Sequence, residues 1–250
     1  MKNLEMELCA YSVRACSVAR LCGLTRAELC AGPAEGGITP SAATIRMARR
    51  AAADIRLHVM IRPRGGDFLY DDEEFAQMLA DIEYARSCGA DGVVFGVLTP
   101  DGGVDVERTR LLVEAAGEMD ATFHRAFDMT RNLTEALEDV ISTGCSRILT
   151  SGGCNRAVDG CRMLRLLTEQ AAGRIGIMAG SGVDAGNAAE IAAAGVDAIH
   201  FSARRLYGSR MQFRNPSVSM GGCGAVPEYG VYDADPDAVR AIMESCRRLR

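Results

Sequence analysis

Short apolar runs alternate along the chain with longer segments in which apolar residues recur at a helical period. Such runs, bounded by glycine and polar residues, are typical of buried parallel strands. They predict eight strands, at Leu4–Cys9, Arg26–Cys30, Leu57–Ile61, Gly92–Gly96, Ala121–His124, Arg147–Thr150, Arg174–Met178 and Ala198–Ser202. The remaining pattern predicts helices at about 12–22, 40–53, 72–88, 105–117, 132–143, 156–172, 184–194 and 235–249. Several of these helices end at a glycine, which readily adopts the left-handed conformation of a helix C-cap.

Eight strand-then-helix units in 250 residues are the count and length of a (β/α)8 TIM barrel. An open, doubly wound sheet is the alternative, but no G-x-G-x-x-G phrase opens the chain. We therefore expect a single domain over residues 1–250, with the barrel at about 4–205 and a C-terminal extension at about 206–250. Long loops follow the second, third and eighth strands, on the face where such barrels carry their sites.

The phrase Glu-Leu-Cys-Ala occurs twice, at residues 7–10 and 28–31, at the ends of the first two strands. Side chains alternate across a strand. Because Leu4, Met6 and Leu8 share one face, that face should meet the helices. Glu7 and Cys9 should then face the barrel interior, as should Glu28 and Cys30.

The same alternation directs further residues inward, all but one of them polar, namely His58, Met60, Arg62, Thr122, His124, His200 and Ser202. Barrel interiors normally hold branched apolar side chains, and buried charges are costly unless they are paired. One interpretation is a purely structural network, for example Glu7 or Glu28 paired with Arg62. The other is a functional site near the mouth, for which Glu28, Arg62 and His124 are the candidates.

Composition narrows the class of protein. Hydrophobic residues make up 48%, charged residues 24%, and the net charge is −5 with a pI near 5.4. This acidity argues against nucleic-acid binding, and no apolar run is long enough to span a membrane. The sequence shows no export signal, and its ten cysteines lack the spacing of zinc ligands. Both observations favour reduced thiols in the cytoplasm. Lysine occurs only at Lys2, which excludes a Schiff-base enzyme that depends on an internal lysine.

The predicted mouth is rich in groups that bind anions, which favours an isomerase, lyase or similar enzyme for a phosphorylated or otherwise anionic small molecule. Loops after the seventh and eighth strands of TIM barrels often bind phosphate, and a helix beginning near Asp184 would add its N-terminus. Glu28 and His124 are a candidate acid–base pair. The catalytic candidates are Glu28, Arg62, Arg64, His124, Arg125 and Asp128. The ligand-binding candidates are Ser151, Gly152, Gly180, Ser181, Gly182, Ser202, Ala203 and Arg214.

Seven stretches of the chain resemble the CutC family of copper homeostasis proteins: MELCAYS, AELCAGPAEGGITPS, VMIRPRGGDFLYDDEE, TFHRAFDM, ILTSGG, IMAGSGV and QFRNPSVSM. The resemblance covers about residues 4–220. It implies a (β/α)8 barrel and copper handling, with Cu(I) bound at the cysteines of the two ELC phrases, here Cys9 and Cys30.

Thiolates are soft ligands that suit Cu(I), and Met60 would add a weaker one. The alternative is that Cys9 and Cys30 only fill the upper layer of the barrel. We thus expect a copper ion or a small anion as the ligand, no organic cofactor, and a homo-oligomer as one possible assembly. Open questions at this stage are the roles of Cys154 and Cys223, and whether Met211–Met220 covers the mouth.

Overall fold

A computed structural model describes residues 4–219 and 227–247. Eight parallel strands pair in chain order, and the eighth pairs with the first, so the sheet closes into a barrel. The strands are β1 Glu5–Ala10, β2 Arg26–Leu29, β3 Arg56–Met60, β4 Gly92–Phe95, β5 Asp120–Phe123, β6 Arg147–Thr150, β7 Gly176–Gly180 and β8 Ala198–Phe201. The predicted (β/α)8 TIM barrel is therefore confirmed.

Helices surround this barrel, and a small extra sheet follows it. The helices are α1 Val13–Leu21, α2 Ala42–Ala51, α3 Asp72–Ser87, α4 Val106–Ala116, α5 Leu133–Thr143, α6 Cys161–Ala171, α7 Ala188–Ala192 and α8 Pro236–Arg247. Short 3-10 helices cover Pro33–Glu35, Arg125–Met129 and Ala157–Gly160. The extra sheet is an antiparallel pair, β9 Arg204–Gly208 and β10 Gly230–Ala234, in a region where the sequence pattern predicts only irregular structure. None of the described helices is long and apolar enough to cross a membrane.

Two of the differences between the predicted and observed elements concern strands and helices that lead to the mouth of the barrel. The seventh strand begins at Gly176 instead of Arg174, because the Arg174 N–H donates to the Ala171 carbonyl and so belongs to the turn after α6. The helix predicted at 184–194 covers only Ala188–Ala192. Residues 184–187 form a turn instead, in which the Asn187 side chain accepts a hydrogen bond from the Asp184 N–H. No long helix therefore points its N-terminus at the mouth from this position.

The apolar residues fall into separate inner and outer groups. Outward-facing strand residues such as Leu8, Leu29 and Leu57 pack with the helices in one large core. Inside the barrel, Cys9, Cys30, Met60 and Val94 form a small cluster of their own, and Leu149, Met178 and Ala198 form another. The side-chain alternation inferred for the two ELC phrases thus agrees with the structure, and the rest of the lumen is polar.

Candidate metal and ligand site at the mouth of the barrel

A buried ion-pair network occupies the deep part of the lumen. Glu7 accepts a hydrogen bond from Arg26 Nε at one carboxylate oxygen, and His200 Nδ1 lies 2.7 Å from the other. Arg26 also reaches Glu5, at 2.6 Å. Although burial opposes the shift, Arg26 and the neighbouring histidines hold the pKa of Glu7 well below its usual range. Glu7 therefore remains an ionised structural residue beneath the site.

Arg62 does not pair with Glu7 or Glu28, so the predicted ion pair between Arg62 and one of these carboxylates is wrong. Its guanidinium donates to the backbone carbonyls of Glu35, Gly37 and Gly66, at 2.7, 2.9 and 2.8 Å. Its carbon also lies 4.9 Å from the centre of the Phe68 ring. Arg62 thus ties together the loops that follow β2 and β3. Arg26, on the same face of β2 as Glu28, is the actual partner of Glu7, and the side-chain alternation could have identified it.

One layer above the ion-pair network lie two thiols and a carboxyl group. The Cys9 and Cys30 sulfur atoms and a Glu28 oxygen all lie within 4.8 Å of one another. Cys30 donates to Glu28 Oε2 at 3.3 Å, whereas Glu28 Oε1 is buried and has no hydrogen-bond partner among the described residues. Met60 packs against both cysteines. These side chains offer two soft sulfur donors with a third sulfur nearby, which is a donor set that fits Cu(I).

Proton positions in this layer follow from burial and close contacts. The close contact with Cys30, together with those with His200 and Tyr11, lowers the pKa of the Cys9 thiol against the effect of burial. The same contact between the two sulfur atoms raises the pKa of Cys30. Burial, together with Cys9 and Glu7, raises the pKa of Glu28 to about 8, although His200 opposes this shift. Cys9 is therefore the first of the two thiols to become a thiolate.

His200 connects the ion-pair network to the thiol layer. Burial alone would lower the pKa of His200, but Glu28, Cys9 and Glu7 raise it well above its ordinary value. His200 is therefore an imidazolium whose Nδ1–H donates to Glu7. Its other ring nitrogen, Nε2, lies 3.7 Å from Glu28 Oε2.

His124 lies at the end of β5 and contrasts with His200. Its Nδ1 accepts a hydrogen bond from the Ala126 N–H at 3.2 Å, and its buried Nε2 has no partner among the described residues. Burial, then the charge of Arg62, lowers the pKa of His124 to about 3. The ring fits because the residue that follows β4 is a glycine: a Cβ at Gly96 would lie 2.6 Å from His124 Nδ1.

Asp128 and Arg125, predicted as catalytic candidates, hold the loop after β6. Asp128 accepts hydrogen bonds from the Thr150 hydroxyl, from the Ser151 hydroxyl and N–H, and from the Gly153 N–H. Arg125 Nε donates to Asp128 at 2.8 Å, and its Nη2 reaches Ser151 Oγ at 2.9 Å. Both carboxylate oxygens of Asp128 thus accept hydrogen bonds from the protein itself, and these contacts indicate a structural role.

A cavity of about 470 Å³ opens above the thiol layer. Nine of the predicted site residues line it: Cys9, Glu28, Arg62, His124, Arg125, Asp128, Ser181, Gly182 and Ser202. It also contains residues that the sequence reasoning did not select, namely Tyr11, Glu35, Phe68, His200 and Arg204. The sequence pattern could have identified His200 and Arg204, because His200 lies on β8 and Arg204 lies just after it. Tyr11 and Phe68 lie in loops, where no periodic pattern points to them.

The other predicted site residues lie outside the cavity lining: Cys30, Arg64, Ser151, Gly152, Gly180, Ala203 and Arg214. Arg64 pairs with Glu74 and Asp67 at the surface, and Arg214 is exposed over the Tyr229 ring. Gly180 leaves space for the Leu149 side chain, since a Cβ at Gly180 would lie 2.7 Å from it. Cys223 and Met220 lie outside the described residues.

The fold and the site together define a TIM-barrel protein whose polar lumen combines a pair of thiols with a ligand-sized mouth. The CutC family model matches residues 4–205, and the chain belongs to the CutC family. A CutC family protein of Bacteroides fragilis is 51% identical over 92% of each chain, and one of Chromobacterium violaceum is 49% identical over 96% of this chain and 97% of its own.

Solved structures agree with this assignment. The crystal structure of CutC from Streptococcus agalactiae, named as a copper homeostasis protein, has a TM-score of 0.75 and 33% identity; the match covers 80% of this chain and 99% of that one. Thiamine phosphate pyrophosphorylase from Pyrococcus furiosus has a TM-score of 0.60 at 16% identity, over 98% of this chain and 96% of its own. The latter similarity concerns the barrel fold alone.

Proposed function

We propose that this protein binds Cu(I) between Cys9 and Cys30 at the floor of the mouth. The observation that carries the proposal is the approach of both sulfur atoms and a Glu28 oxygen to within 4.8 Å of one another. Two thiolates on adjacent strands match the preference of Cu(I) for few, soft ligands. The copper homeostasis name of the Streptococcus agalactiae relative supports the same assignment.

The surroundings of the thiols are consistent with capture of the ion from the mouth. Cys9 lines the cavity, whereas Cys30 is 1% exposed and lies behind it. Binding requires that the thiols lose their protons. The imidazolium of His200 stabilises a Cys9 thiolate, and the Cys30 proton must leave as the ion enters. A reducing, cytoplasmic location is part of this proposal because oxidised thiols would not bind the ion.

The proposal is tested by Cu(I) uptake in competition with a colorimetric Cu(I) chelator under anaerobic conditions. The parent protein should bind one Cu(I) per chain tightly, and the variant C9S/C30S should lose this uptake. Cys16 and Cys145 are buried elsewhere in the main core, so C16S/C145S is the matched control and should keep it. Equal uptake by C9S/C30S and the parent would refute the proposal.

A second candidate function is an enzyme that acts on a small anionic molecule in the same cavity. The specific observation is that Glu28 Oε1 and His124 Nε2 are buried, lack partners among the described residues, and belong to side chains that line the cavity. Buried polar atoms are nearly always hydrogen-bonded, so such atoms mark places where a ligand can complete the bonding. In this function Glu28 and His124 would contact the substrate, while Arg62, Arg125 and Asp128 would hold the loops around it.

This second function is tested by a thermal-shift screen of phosphate-bearing and carboxylate-bearing compounds. An anion that stabilises the parent should stabilise H124A and R62A less, because the first loses a donor and the second loosens the surrounding loops. If no anion raises the melting temperature of the parent protein, the second function fails and the copper proposal is unaffected.

A further inference from the structure

The neutral His124 ring presents a hydrogen-bond donor that the protein leaves unused. Because the Ala126 N–H donates to Nδ1, the proton of the neutral imidazole is on Nε2. That N–H is buried, has no acceptor among the described residues, and belongs to a side chain that is only 4% exposed and lines the cavity. A buried donor without an acceptor is unfavourable by about 1–3 kcal/mol. The cavity is therefore suited to a ligand with an acceptor oxygen at this position.

The loops after β7 and β8 form a second pole of the cavity, which we call the anion corner: Ser181, Gly182, Val183, Ser202 and Arg204. The backbone N–H groups of Gly182 and Val183 donate to no other described residue. Arg204 forms no ion pair within residues 4–219 and 227–247, and its guanidinium lies 5.2 Å from the centre of the Tyr11 ring. Free N–H groups and an uncommitted guanidinium are the groups that bind phosphate or carboxylate.

Backbone conformation singles out the same loops. Among the described residues only three that are not glycine have positive φ, and two of them lie in these loops: Ser181, at 90°, directly follows β7, and Ala203, at 43°, lies two residues after β8. The third, Ala172, is simply the C-cap of α6. Such conformations are unfavourable by about 1–3 kcal/mol and persist where the surrounding structure requires them. Here they turn the chain sharply at the corner that holds the free N–H groups.

We infer that the cavity binds a small phosphorylated carbonyl compound, with its phosphate at the anion corner and its carbonyl oxygen at His124 Nε2. This inference rests on the second candidate function and is independent of the copper site. Three acids also line the cavity: Asp128 is paired with Arg125, while Glu28 lies on β2 and Glu35 on the loop after it.

A carbonyl group is favoured over a hydroxyl because His124 Nε2 can only donate. A carbonyl oxygen accepts this bond and brings no hydrogen of its own, whereas a hydroxyl brings a donor that needs a further acceptor. The low pKa of His124 keeps the ring neutral throughout the physiological range, so the donor persists whatever the local pH. The ligand is thus selected at one end by the charge of its phosphate and at the other by its carbonyl oxygen, which accepts the hydrogen bond.

The experiment measures binding of dihydroxyacetone phosphate by isothermal titration, with glycerol 3-phosphate and inorganic phosphate as comparison ligands. The parent should prefer dihydroxyacetone phosphate over glycerol 3-phosphate by about fivefold to tenfold, because the hydroxyl of the latter leaves a donor without an acceptor. H124L should lose this preference, and H124Q, which retains an N–H donor, should recover part of it. R204A should weaken both organic phosphates by a similar factor of about ten, since it removes one charge-assisted contact.

Two results would overturn the inference: dihydroxyacetone phosphate binding no better than inorganic phosphate, or H124L keeping the preference of the parent. Melting curves show whether each variant is folded. If H124L does not fold, H124Q still tests the inference. C16S/C145S, whose thiols lie in the main core, should bind the phosphates as the parent does. Cu(I) uptake and phosphate binding are measured separately on the parent and on H124L, so loss of one with the other intact separates failure of one proposal from failure of the other.

Discussion

Replacement of Arg26 by methionine should destabilise the barrel strongly, because it leaves the Glu7 carboxylate buried without its main partner. Both side chains are almost completely buried, at 0% exposure for Glu7 and 1% for Arg26. Removing one member of such a pair is unfavourable by about 3–5 kcal/mol. His200 remains beside Glu7 and reduces the loss, so we expect about 3 kcal/mol, a large part of the 5–15 kcal/mol that stabilises a typical domain.

The pH dependence of this loss identifies its cause. A carboxyl with a lowered pKa in the folded state contributes stability that is present above its unfolded value, near 4.5, and lost as the pH falls. R26M removes much of that contribution. The difference between R26M and the parent should therefore be largest near neutral pH and should shrink below pH 4.5.

Urea unfolding at several pH values measures these free energies. The double variant E7Q/R26M should be more stable than R26M alone, because it removes the stranded charge. R20A is the matched control: Arg20 pairs with Asp54 at the surface, where both side chains are about half-exposed, and its loss should amount to less than about 1 kcal/mol. A loss below 1 kcal/mol for R26M, or no recovery in the double variant, would show that the lumen tolerates an unpaired carboxylate and that this reasoning is wrong.

Three further predictions concern the mouth. D128N should lower the unfolding free energy by about 2–3 kcal/mol, because the Asp128 carboxylate accepts hydrogen bonds from Thr150, Ser151 and Gly153; a loss under 1 kcal/mol would contradict this. G96A should cost about 1–3 kcal/mol by displacing the His124 ring, whereas G208A, with open space around it, should stay within about 0.5 kcal/mol; equal effects in urea unfolding would refute the packing argument. Because the pKa of His124 is about 3 in the folded protein, the unfolded chain binds its proton first as the pH drops below about 6.5, and stability falls. H124Q should flatten this fall between pH 6.5 and 4.5, and an unchanged slope would contradict the burial of a neutral ring.

The barrel and its polar lumen could be predicted because they depend on local periodicity. The alternation of side chains along each strand predicted that Glu7, Cys9, Glu28 and Cys30 face the interior. The repeated strand–helix units predicted the closed sheet. Strand parity also pointed to Arg26, which was overlooked although it lies two residues before Glu28.

The loops could not be predicted in the same way, because their contacts join residues far apart in the sequence. The Arg62 guanidinium bonds to backbone carbonyls of two loops, which no side-chain pattern records. Asp128 accepts hydrogen bonds from the last residue of β6 and from the loop after it, 22 and 23 residues away in the chain. The short α7 results from the turn that Asp184 and Asn187 form, where a continuing helical pattern was expected.

X-ray absorption at the copper edge of the Cu(I)-loaded protein tests the copper proposal most directly, because it counts the sulfur atoms bound to the ion. Coordination by Cys9 and Cys30 predicts two thiolate sulfur ligands per copper in the parent protein, and no copper retained by C9S/C30S. A spectrum that shows only nitrogen and oxygen ligands, or the same sulfur coordination in C9S/C30S, would contradict the assignment of this thiol pair as the metal site.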